Sequence, residues 1–471
     1  MTSFRFPSRF CAAGAVLALL TLSACRSEPE HVLSEFACHA GAWQDARGEV
    51  FVLTSTTTGA IRYRLPDGRS GLFRPDGPNV DTGAPEGWRA DGPVAARASF
   101  GTCSDGGVAF ANGDVMPQPA RRLELASEDI RFDSDGLSLR GRLVLPAQAD
   151  GPVPLAVLVH GSEDYSALDT NHLQYLLPAQ GVAVFVYDKR GTGGSDGHYT
   201  QDFDALAGDA VAAMETARRM RPDAFARTGY VGGSQGGWVA PLAASRSRAD
   251  FAVALFGLAE SPLAEDREQV ANDLRAKGHG EDVVARSREV TDATAMLMAS
   301  GFTRGFDELA AVRARYGHEP WFGDVRGEFS GQVLGIPGWA PQWIVRRLAA
   351  RHDRGTTWDY EPLAVLEGLD APQLWIVAAE DLEAPPTETL RRIRMLQAKA
   401  RPIDLAVFPD ADHGMLEYVE SGGARTFLRH SEGYFALLGD WIAQRPLQER
   451  YGRATLERPT ASAAPPELQV E

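Results

Sequence analysis

Apolar residues in the second part of the chain form short uninterrupted runs, and longer amphipathic segments lie between them. The apolar runs lie at 155–159, 182–187, 251–256, 374–378 and 405–408. Segments of helical periodicity lie near 167–180, 203–220, 386–400 and 431–445. Apolar runs without polar alternation are typical of strands covered on both faces, and their alternation with helices is typical of a parallel sheet. The pattern therefore predicts an α/β fold, a mainly parallel sheet flanked by helices.

The segment 25–119 has a different pattern. Its strand-like runs EVFVLTS and AIRYRL are separated or followed by the turn-rich stretches TTTGA and PDGRSG. Short strands bounded by Gly, Pro and Asp predict a small β domain. The sequence leaves two roles open for this domain, a spacer or one wall of a site on the following domain.

A long insertion, residues 259–369, separates the apolar runs at 251–256 and 374–378. Helical periodicity in EQVANDLRAK and FDELAAVRARY predicts a helical lid there. The lid divides the α/β core into two halves, 120–258 and 370–448. Its tryptophans either line an apolar substrate pocket or pack the lid helices together, and the candidates for the pocket are Trp321, Trp339 and Trp343. The last segment, 449–471, is predicted to be a disordered tail, because it ends in TASAAPPELQVE.

The amino terminus has the pattern of an export signal. Arg5 and Arg9 precede the apolar stretch CAAGAVLALL, and LSAC ends at Cys25. Residues 1–24 are therefore predicted to be a signal peptide. The small residues before Cys25 resemble the lipobox of bacterial lipoproteins, which implies lipid attachment to the Cys25 thiol and a place in the cell envelope, with the outer membrane favoured by Arg26. The alternative is an ordinary signal peptide with a free Cys25.

Charge and cysteine content narrow the partners. The formal net charge is −16, and loss of the two leader arginines makes the mature chain more acidic still. So acidic a protein is a poor match for nucleic acid or an anionic membrane face, so that membrane contact is expected through the lipid alone. In an oxidising compartment, Cys38 and Cys103 are predicted to form a disulfide, the alternative being two buried thiols.

The stretch TGYVGGSQGGWVAPLAA, residues 228–244, carries the clearest chemical signal. Gly232, Ser234 and Gly236 satisfy Gly-x-Ser-x-Gly, and the stretch runs from an apolar segment into an Ala-rich helical one. That context is a sharp strand-to-helix turn that presents a serine hydroxyl at a helix N-terminus. A serine in such a strained turn crowds the positions two before and two after it, which therefore need to lack a Cβ. Ser234 is the predicted nucleophile.

A nucleophilic serine needs a general base and a group that orients the base. His413 follows the apolar run at 405–408, in PDADHGM, and Asp381 follows the run at 374–378, in WIVAAEDLEAP. The predicted pair is His413 as base and Asp381 as orienting acid, with Glu380 and Glu383 as competitors for the acid. Loops at the carboxyl ends of strands are where such sites gather. An imidazole base predicts that kcat/KM falls as pH drops through about 6 to 7.

Donors to the developing oxyanion are also needed. In LAVLVHGSED a strand ends at His160 and Gly161, so the backbone N–H of Ser162 is the first predicted donor. The backbone N–H of Gln235, directly after the nucleophile, is the second. His160 itself is interpreted as shaping the loop and not as a base.

Residues 121–445 resemble the α/β-hydrolase superfamily, in particular its serine-aminopeptidase-like and acyl-thioesterase-like hydrolases. The matching motifs are VLVHGS, YDKRGTGGSDG, GGSQGG, the Asp381 loop and DADHGM, in that order. The resemblance implies an α/β-hydrolase fold and acyl transfer through Ser234, Asp381 and His413. One departure is Gly233, where the family often has a side chain, which puts access around the serine in question. The resemblance says nothing about the small β domain.

The sequence thus predicts a serine hydrolase that cleaves carboxylic esters or thioesters of small molecules. The alternative enzyme is a serine aminopeptidase, which needs acidic lid groups for the substrate ammonium, with the candidates Glu260, Glu265 and Asp266. The alternative of another class is a non-catalytic envelope binding protein on a hydrolase scaffold. No metal or other cofactor is implied, because no His/Cys/Asp cluster has ligand spacing. Oligomeric state is not indicated.

Overall fold

The computed structural model of the protein describes residues 33–459. The predicted signal peptide, Cys25 and the end of the predicted tail lie outside this part of the chain, so the leader and the lipid anchor stay predictions. Between residues 33 and 459, no helix has both the length and the apolar character needed to cross a membrane.

The N-terminal domain consists of two antiparallel sheets that share one apolar core. The strands are β1 (Gly41–Gln44), β2 (Val50–Ser55), β3 (Ile61–Arg64), β4 (Ser70–Phe73), β5 (Thr82–Pro85), β6 (Val94–Phe100), β7 (Val108–Asn112), β8 (Gln118–Pro119) and β9 (Arg121–Arg122). The sheet orders are β4-β3-β2-β1-β9 and β5-β6-β7-β8. Phe51 and Phe110, one from each sheet, stack with ring centroids 4.1 Å apart. Because β9 pairs with β1, the domain extends to Arg122, past the predicted boundary at residue 119.

A disulfide joins Cys38 and Cys103, whose Cα atoms lie 5.8 Å apart. Cys38 lies in the short 3₁₀ turn Ala37–His39, and Cys103 lies in the loop between β6 and β7. The bond therefore connects the start of the domain to the far sheet.

The first half of the core begins with an antiparallel hairpin and continues as strand–helix units. Its elements are β10 (Ala126–Ser134), β11 (Leu137–Leu145), β12 (Val153–Val159), α1 (Ala167–Thr170), α2 (Leu173–Leu176), β13 (Ala183–Tyr187), α3 (Phe203–Met220), β14 (Phe225–Gly233), α4 (Gly236–Ser245) and β15 (Phe251–Leu255). A 3₁₀ turn, Pro178–Gln180, follows α2. The side chain of Asp202 caps α3 by accepting hydrogen bonds from the first-turn N–H groups of Asp204 and Ala205.

The lid follows β15 and is helical. It contains α5 (Pro262–Ala276), α6 (Glu281–Ala299), α7 (Phe306–Tyr316), α8 (Ser330–Leu334), α9 (Gln342–His352) and α10 (Leu363–Gly368), with a 3₁₀ turn at Pro320–Asp324. The lid has an apolar core of its own, which includes Val270, Leu297 and Trp321. It therefore packs as a unit and not as a loose loop.

The second half of the core completes the sheet. Its elements are β16 (Gln373–Ala378), α11 (Thr387–Ala398), β17 (Ile403–Phe408), β18 (Ala411–Asp412), the 3₁₀ turn His413–Met415, β19 (Leu416–Ser421), β20 (Ala424–His430), α12 (Tyr434–Ile442) and β21 (Thr455–Glu457). The nine-stranded sheet has the order β10-β11-β13-β12-β14-β15-β16-β17-β21 and is parallel from β13 to β17. Every residue of β13 and β16 is buried, as uninterrupted apolar runs require. The predicted fold class is confirmed.

The tail prediction is wrong for part of its range. Thr455–Glu457 forms β21, which pairs antiparallel with β17 at the edge of the sheet. Three residues are too few to show a strand period, so the pairing is visible only in the structure.

A second hairpin, β19-β20, was not predicted, and it joins the core to the N-terminal domain. The N–H of His430 donates to the carbonyl of Gly68 at 2.9 Å, and the N–H of Trp88 donates to the carbonyl of Phe427 at 2.9 Å. A Cβ on Gly87 would lie 1.9 Å from the carbonyl oxygen of Leu428. The two backbones therefore meet closely, directly beside the turn that carries His413.

We expect replacement of both Cys38 and Cys103 by serine to destabilise the N-terminal domain by about 4 kcal/mol, because the bridge spans 65 residues of chain. Hydrogen exchange of the amides in β1 to β7 measures this local free energy. Dithiothreitol should have the same effect on the wild type and none on the double variant. Equal protection in both proteins would contradict the expectation.

Candidate active site

Ser234 lies in a strained turn between β14 and α4. Its φ is 52°, in the left-handed region of backbone conformation that residues other than glycine rarely adopt. Its N–H donates to the carbonyl of Leu255 at 3.0 Å, which ties the turn to the neighbouring strand. The hydroxyl is thereby lifted off the carboxyl end of the sheet at the N-terminus of a buried helix.

The glycines of the motif are required by the approach of other backbone segments. A Cβ on Gly232 would lie 2.0 Å from the carbonyl oxygen of Gly236, and one on Gly236 would lie 2.5 Å from that of Val159. Both contacts are with backbone atoms, which cannot move aside easily. The steric argument made from the motif is confirmed.

Asp381 and His413 are brought together by the loops after β16 and β18. The Nδ1 atom of His413 lies 3.0 Å and 3.2 Å from the two carboxylate oxygens of Asp381. The Asp381 carboxylate also accepts the N–H groups of Glu383 at 3.0 Å and Ala384 at 2.7 Å. The carboxylate is therefore fixed and holds the proton on Nδ1, which leaves Nε2 as the basic nitrogen.

The two competitors for the orienting acid have other positions. The Glu383 carboxylate lies 3.6 Å from Nε2 of His413, on the opposite side of the ring from Asp381, and its side chain is 58% exposed. Glu380 accepts a hydrogen bond from Arg425 through its backbone carbonyl. Among these three acids, only Asp381 contacts Nδ1.

Phe256 connects the histidine with the serine turn, and sequence reasoning did not single it out. Its ring centroid lies 5.0 Å from that of His413. A Cβ on Gly233 would lie 2.7 Å from the same phenyl ring, so the missing side chain beside Ser234 makes room for Phe256. The signal available in the sequence was its place directly after β15, next to the nucleophile strand. Among the described residues, no hydrogen bond joins the Ser234 hydroxyl to His413.

The predicted oxyanion donors flank the same rim. Gln235 stands at the cap position of α4, and neither its N–H nor that of Ser162 donates to another group in residues 33–459. The Ser162 loop is held by its carbonyls: Lys189 Nζ donates to Gly161 at 2.7 Å, and the Tyr199 hydroxyl donates to Ser162. Two free N–H groups at this edge can stabilise an oxyanion.

His160 does not serve as a base in this arrangement. It is buried, and burial lowers the pKa of its imidazole. Its Nδ1 lies 4.0 Å from Glu163, which is outside hydrogen-bonding distance.

Hairpin β19-β20 supplies a further positioning residue. Arg425 pairs with the Asp412 carboxylate at 2.7 Å and also donates to the Glu380 carbonyl, so one guanidinium connects the base loop with the acid loop. The Asp412 carboxylate in turn accepts the N–H of His413 at 2.7 Å.

His413, the predicted base, lies in an acidic environment. Burial alone would lower the pKa of His413, but the hydrogen bond to Asp381 and the negative charges of Asp381, Glu383 and Asp412 outweigh it and raise this pKa to about 9. A histidine with that pKa is mostly protonated at neutral pH.

A cavity of about 730 Å³ borders the site. It is lined by Gly161, Gly233, Phe256 and Gly414 and, opposite them, by the N-terminal domain. The N-terminal domain is therefore a wall of this cavity, and its role as a wall of the active site stays a prediction.

The lid tryptophans depart from their predicted position. Trp321 is buried inside the lid, with its ring 5.3 Å from that of Tyr316. Trp339 and Trp343 are 61% and 68% exposed, so they do not form an apolar pocket. A separate apolar cavity of about 700 Å³ in the lid is lined by Trp358 and Phe329 among others. Between residues 33 and 459, no cluster of His, Cys, Asp or Glu has an arrangement that could hold a metal ion.

The sheet order and the strained serine turn are those of an α/β-hydrolase fold. Residues 151–282 match the family model of the serine aminopeptidases, S33. The stretch runs from the start of β12 into α6 and includes the Ser234 turn. The resemblance stated from the motifs is thereby confirmed.

Solved structures of similar proteins include esterases and peptidases. An esterase of Pyrococcus furiosus is 17% identical, with a TM-score of 0.38 over 62% of this chain and 84% of that one. An acylaminoacyl peptidase of Pyrococcus horikoshii is 16% identical, with a TM-score of 0.39 over 76% of this chain and 50% of that one. The Est1E protein of Butyrivibrio proteoclasticus, solved with ferulic acid, is 16% identical, with a TM-score of 0.37 over 67% and 96%. No curated protein matches the chain.

We expect the rate at which a fluorophosphonate labels Ser234 to rise with pH through a midpoint near the pKa of about 9, because only a neutral His413 can take the serine proton. This is above the range of about 6 to 7 expected for an ordinary imidazole. Glu383→Gln should lower the midpoint by less than about one unit, since its carboxylate is partly exposed and screened. The matched control is Glu380→Gln, which removes a charge from the same loop and should leave the midpoint unchanged. A wild-type midpoint at or below 6.5 would rule out this account.

Proposed function

We propose that this protein cleaves carboxylic esters or thioesters through an acyl-enzyme on Ser234. The observation that carries the proposal is the Asp381–His413 pair, hydrogen-bonded at 3.0 Å, at the same rim of the sheet as a serine held at φ 52°. Acyl transfer requires a nucleophilic serine and a histidine with a fixed tautomer at the same site.

In the proposed reaction, Nε2 of His413 accepts the Ser234 proton as the hydroxyl oxygen attacks the substrate carbonyl carbon. Asp381 keeps the Nδ1 proton in place and stabilises the imidazolium that forms. The N–H groups of Ser162 and Gln235 donate to the tetrahedral oxyanion, each contributing roughly 3 kcal/mol of barrier lowering. The imidazolium then protonates the leaving alcohol or thiol, and water releases the acyl group by the same steps.

The approach of Ser234 to His413 requires the Nε2 side of the ring to be open. Glu383 is the charged group on that side, and its exposed side chain can turn away as substrate enters. In the resting arrangement, His413 is therefore mostly protonated. Neutralising or displacing Glu383 favours the neutral imidazole, which is the form that can accept the serine proton.

We expect Ser234→Ala to abolish hydrolysis of short nitrophenyl esters and covalent labelling by a fluorophosphonate, because it removes the attacking oxygen. Asp381→Asn should lower kcat by about 10⁴-fold by releasing the tautomer of His413. The matched control is Ser245→Ala, at the other end of α4. Labelling that persists in Ser234→Ala would refute the nucleophile.

The second candidate function is an aminopeptidase, and a group of carboxylates between lid and base favours it. The charges that raise the pKa of Glu265 include those of Glu328 and Glu383, although burial is the largest cause. Burial, Glu383 and Asp266 likewise raise the pKa of Glu328 to about 7. No cation among the described residues forms an ion pair with Glu265 or Glu328. A substrate ammonium is the kind of group that would relieve this repulsion.

The three acids proposed from the sequence to bind a substrate ammonium, Glu260, Glu265 and Asp266, differ in their surroundings. Asp266 accepts hydrogen bonds from the N–H groups of Phe329 and Ser330, so it caps α8 and has little capacity left for substrate. Glu260 lies near Glu268 and Glu388, and burial together with the Glu268 charge raises its pKa to about 8. Only Glu265 keeps the predicted role, now with Glu328 beside it.

If the protein is an aminopeptidase, it should hydrolyse aminoacyl nitroanilides faster than their N-acetyl derivatives, and Glu265→Gln should abolish that preference. The expected loss is about tenfold or more in kcat/KM for the free amine alone. The control is Glu289→Gln, an acid of the same lid that is paired with Arg315. Nitrophenyl ester turnover without any anilide turnover would leave the esterase proposal alone.

A further inference from the structure

The N-terminal domain presents two buried arginines to the cavity beside the active site. In β3, Ile61 and Tyr63 point into the apolar core of the domain, so the alternate residues Arg62 and Arg64 point the other way. Both arginines are buried, both line the cavity of about 730 Å³, and the exposed Arg74 lines it beside them.

Within residues 33–459, these arginines have hydrogen-bond and stacking partners but no anionic one. Arg62 donates through Nη1 to the carbonyl of Gly87 at 3.1 Å and stacks on Trp88, with its guanidinium carbon 3.9 Å from the ring centroid. Arg64 donates through Nε to His430 at 3.2 Å and through Nη1 to the Thr54 hydroxyl at 3.0 Å. Among the described residues, no carboxylate forms an ion pair with any of the three. Donors remain on both buried guanidinium groups.

Leaving two neighbouring cations buried without a counter-ion is costly. Burial and the charge of Arg74 lower the pKa of Arg62 to about 10, and burial and the charge of Arg62 lower that of Arg64 well below its ordinary value. The neighbouring histidines do not add charge, because burial and Arg64 keep the pKa of His172 and His430 well below the usual range. Nε2 of His172, which also lines the cavity, is buried without a hydrogen-bond partner.

The carboxylate that does line the cavity lies on its other side. Glu163 is 4.0 Å from Nδ1 of His160, and burial of its carboxyl is outweighed by the charges of His160, Lys189 and His413, which lower its pKa. It therefore belongs to the loop that carries Ser162. The arginine side of the cavity is left with unmatched positive charge.

We propose that Arg62, Arg64 and Arg74 bind an anionic group of the substrate, a carboxylate, phosphate or sulfate, while its ester bond lies at Ser234. The inference rests on the proposed function, because the cavity adjoins the serine through Gly233 and the oxyanion loop through Gly161. Two guanidinium groups with unused N–H donors match the oxygens of such an anion. The substrate class is thus an ester or thioester with a second, negatively charged end.

Two pairs of esters that differ mainly in charge test the proposal on either side of the scissile bond. The first pair is the nitrophenyl monoester of glutaric acid and the nitrophenyl ester of glutaramic acid, with the anion or its amide in the acyl group. The second is the acetyl ester of 4-hydroxybenzoate and that of 4-hydroxybenzamide, with the anion in the leaving group. We expect the wild type to prefer the anion at least tenfold in kcat/KM in one pair. In that pair, Arg62→Gln and Arg64→Gln should each lower the anion-to-amide ratio tenfold or more.

The exposed Arg74→Gln should lower the same ratio by about twofold to fivefold, and it keeps the test valid if a buried variant does not fold. The matched control is Arg97→Gln, an arginine of the same domain paired with Asp114, which should leave the ratio unchanged. A wild type without preference for the anion in both pairs, or a preference that survives in Arg62→Gln and Arg74→Gln, would overturn the proposal.

Calorimetric titration of Ser234→Ala with both members of each ester pair separates this proposal from the hydrolase proposal. If the wild type turns over neither pair, the esterase proposal has failed, and tighter binding of an anion than of its amide, weakened by Arg62→Gln, still supports the arginine site. Equal binding within both pairs contradicts the arginine site even if both neutral esters are hydrolysed.

Discussion

The geometry of the site depends on one steric constraint, the crossing of three backbone segments at Ser234. The carbonyl of Val159 from β12, the turn at Gly232 and the start of α4 at Gly236 approach so closely that no Cβ fits at either glycine. At Gly237 the same helix packs against Gly257, where a Cβ would lie 2.8 Å from the facing Cα atom. Backbone contacts of this kind hold Ser234 in its left-handed conformation, and that strain is maintained by the buried sheet beneath it. The serine is therefore presented by the fold as a whole and not by its own loop.

Charged groups are distributed unevenly around Ser234. Carboxylates gather on the side of the lid and the acid loop, where Glu383 lies 3.6 Å from Nε2 of His413 and its charge adds to those of Glu265 and Glu328, and guanidinium groups gather on the N-terminal domain. The electrostatic potential therefore differs between the two sides of the site. A substrate with one charged end is oriented by this difference before any close contact forms. Burial lowers the pKa of His413, but the hydrogen bond to Asp381 and the charges of Asp381, Glu383 and Asp412 outweigh burial and raise this pKa.

Sequence patterns predicted the parts of this structure whose physical cause is local. Uninterrupted apolar runs predicted β12, β13, β15, β16 and β17, because a strand covered on both faces has no polar positions. The Gly-x-Ser-x-Gly spacing predicted the steric conflict at Gly232 and Gly236. The hairpin β19-β20 was not predicted, because its strands are mostly half-exposed and their pairing contains a register shift. Its sequence therefore shows neither the helical nor the strand period of apolar residues. Trp339 and Trp343 were candidates for a pocket because they lie in the insertion that forms the lid, and the lid exposes them instead. The alternation of Ile61, Arg62, Tyr63 and Arg64 is typical of a strand with one solvated face, and nothing in that pattern shows that the face is covered by another domain.

Contacts across the domain boundary connect the N-terminal domain with the turn that carries His413. Arg64 donates to Nε2 of His430, so the proton of that neutral imidazole lies on Nδ1, which donates to the carbonyl of Gly414 at 3.2 Å. Gly414 is the residue after the base. A chain of two hydrogen bonds thus runs from β3 of the N-terminal domain to the turn that carries His413, alongside the backbone contacts at Gly68 and Gly87. These contacts tie β3 to the turn that carries His413, and they support the proposal that the N-terminal domain completes a substrate cavity and holds the surrounding loops in a fixed arrangement.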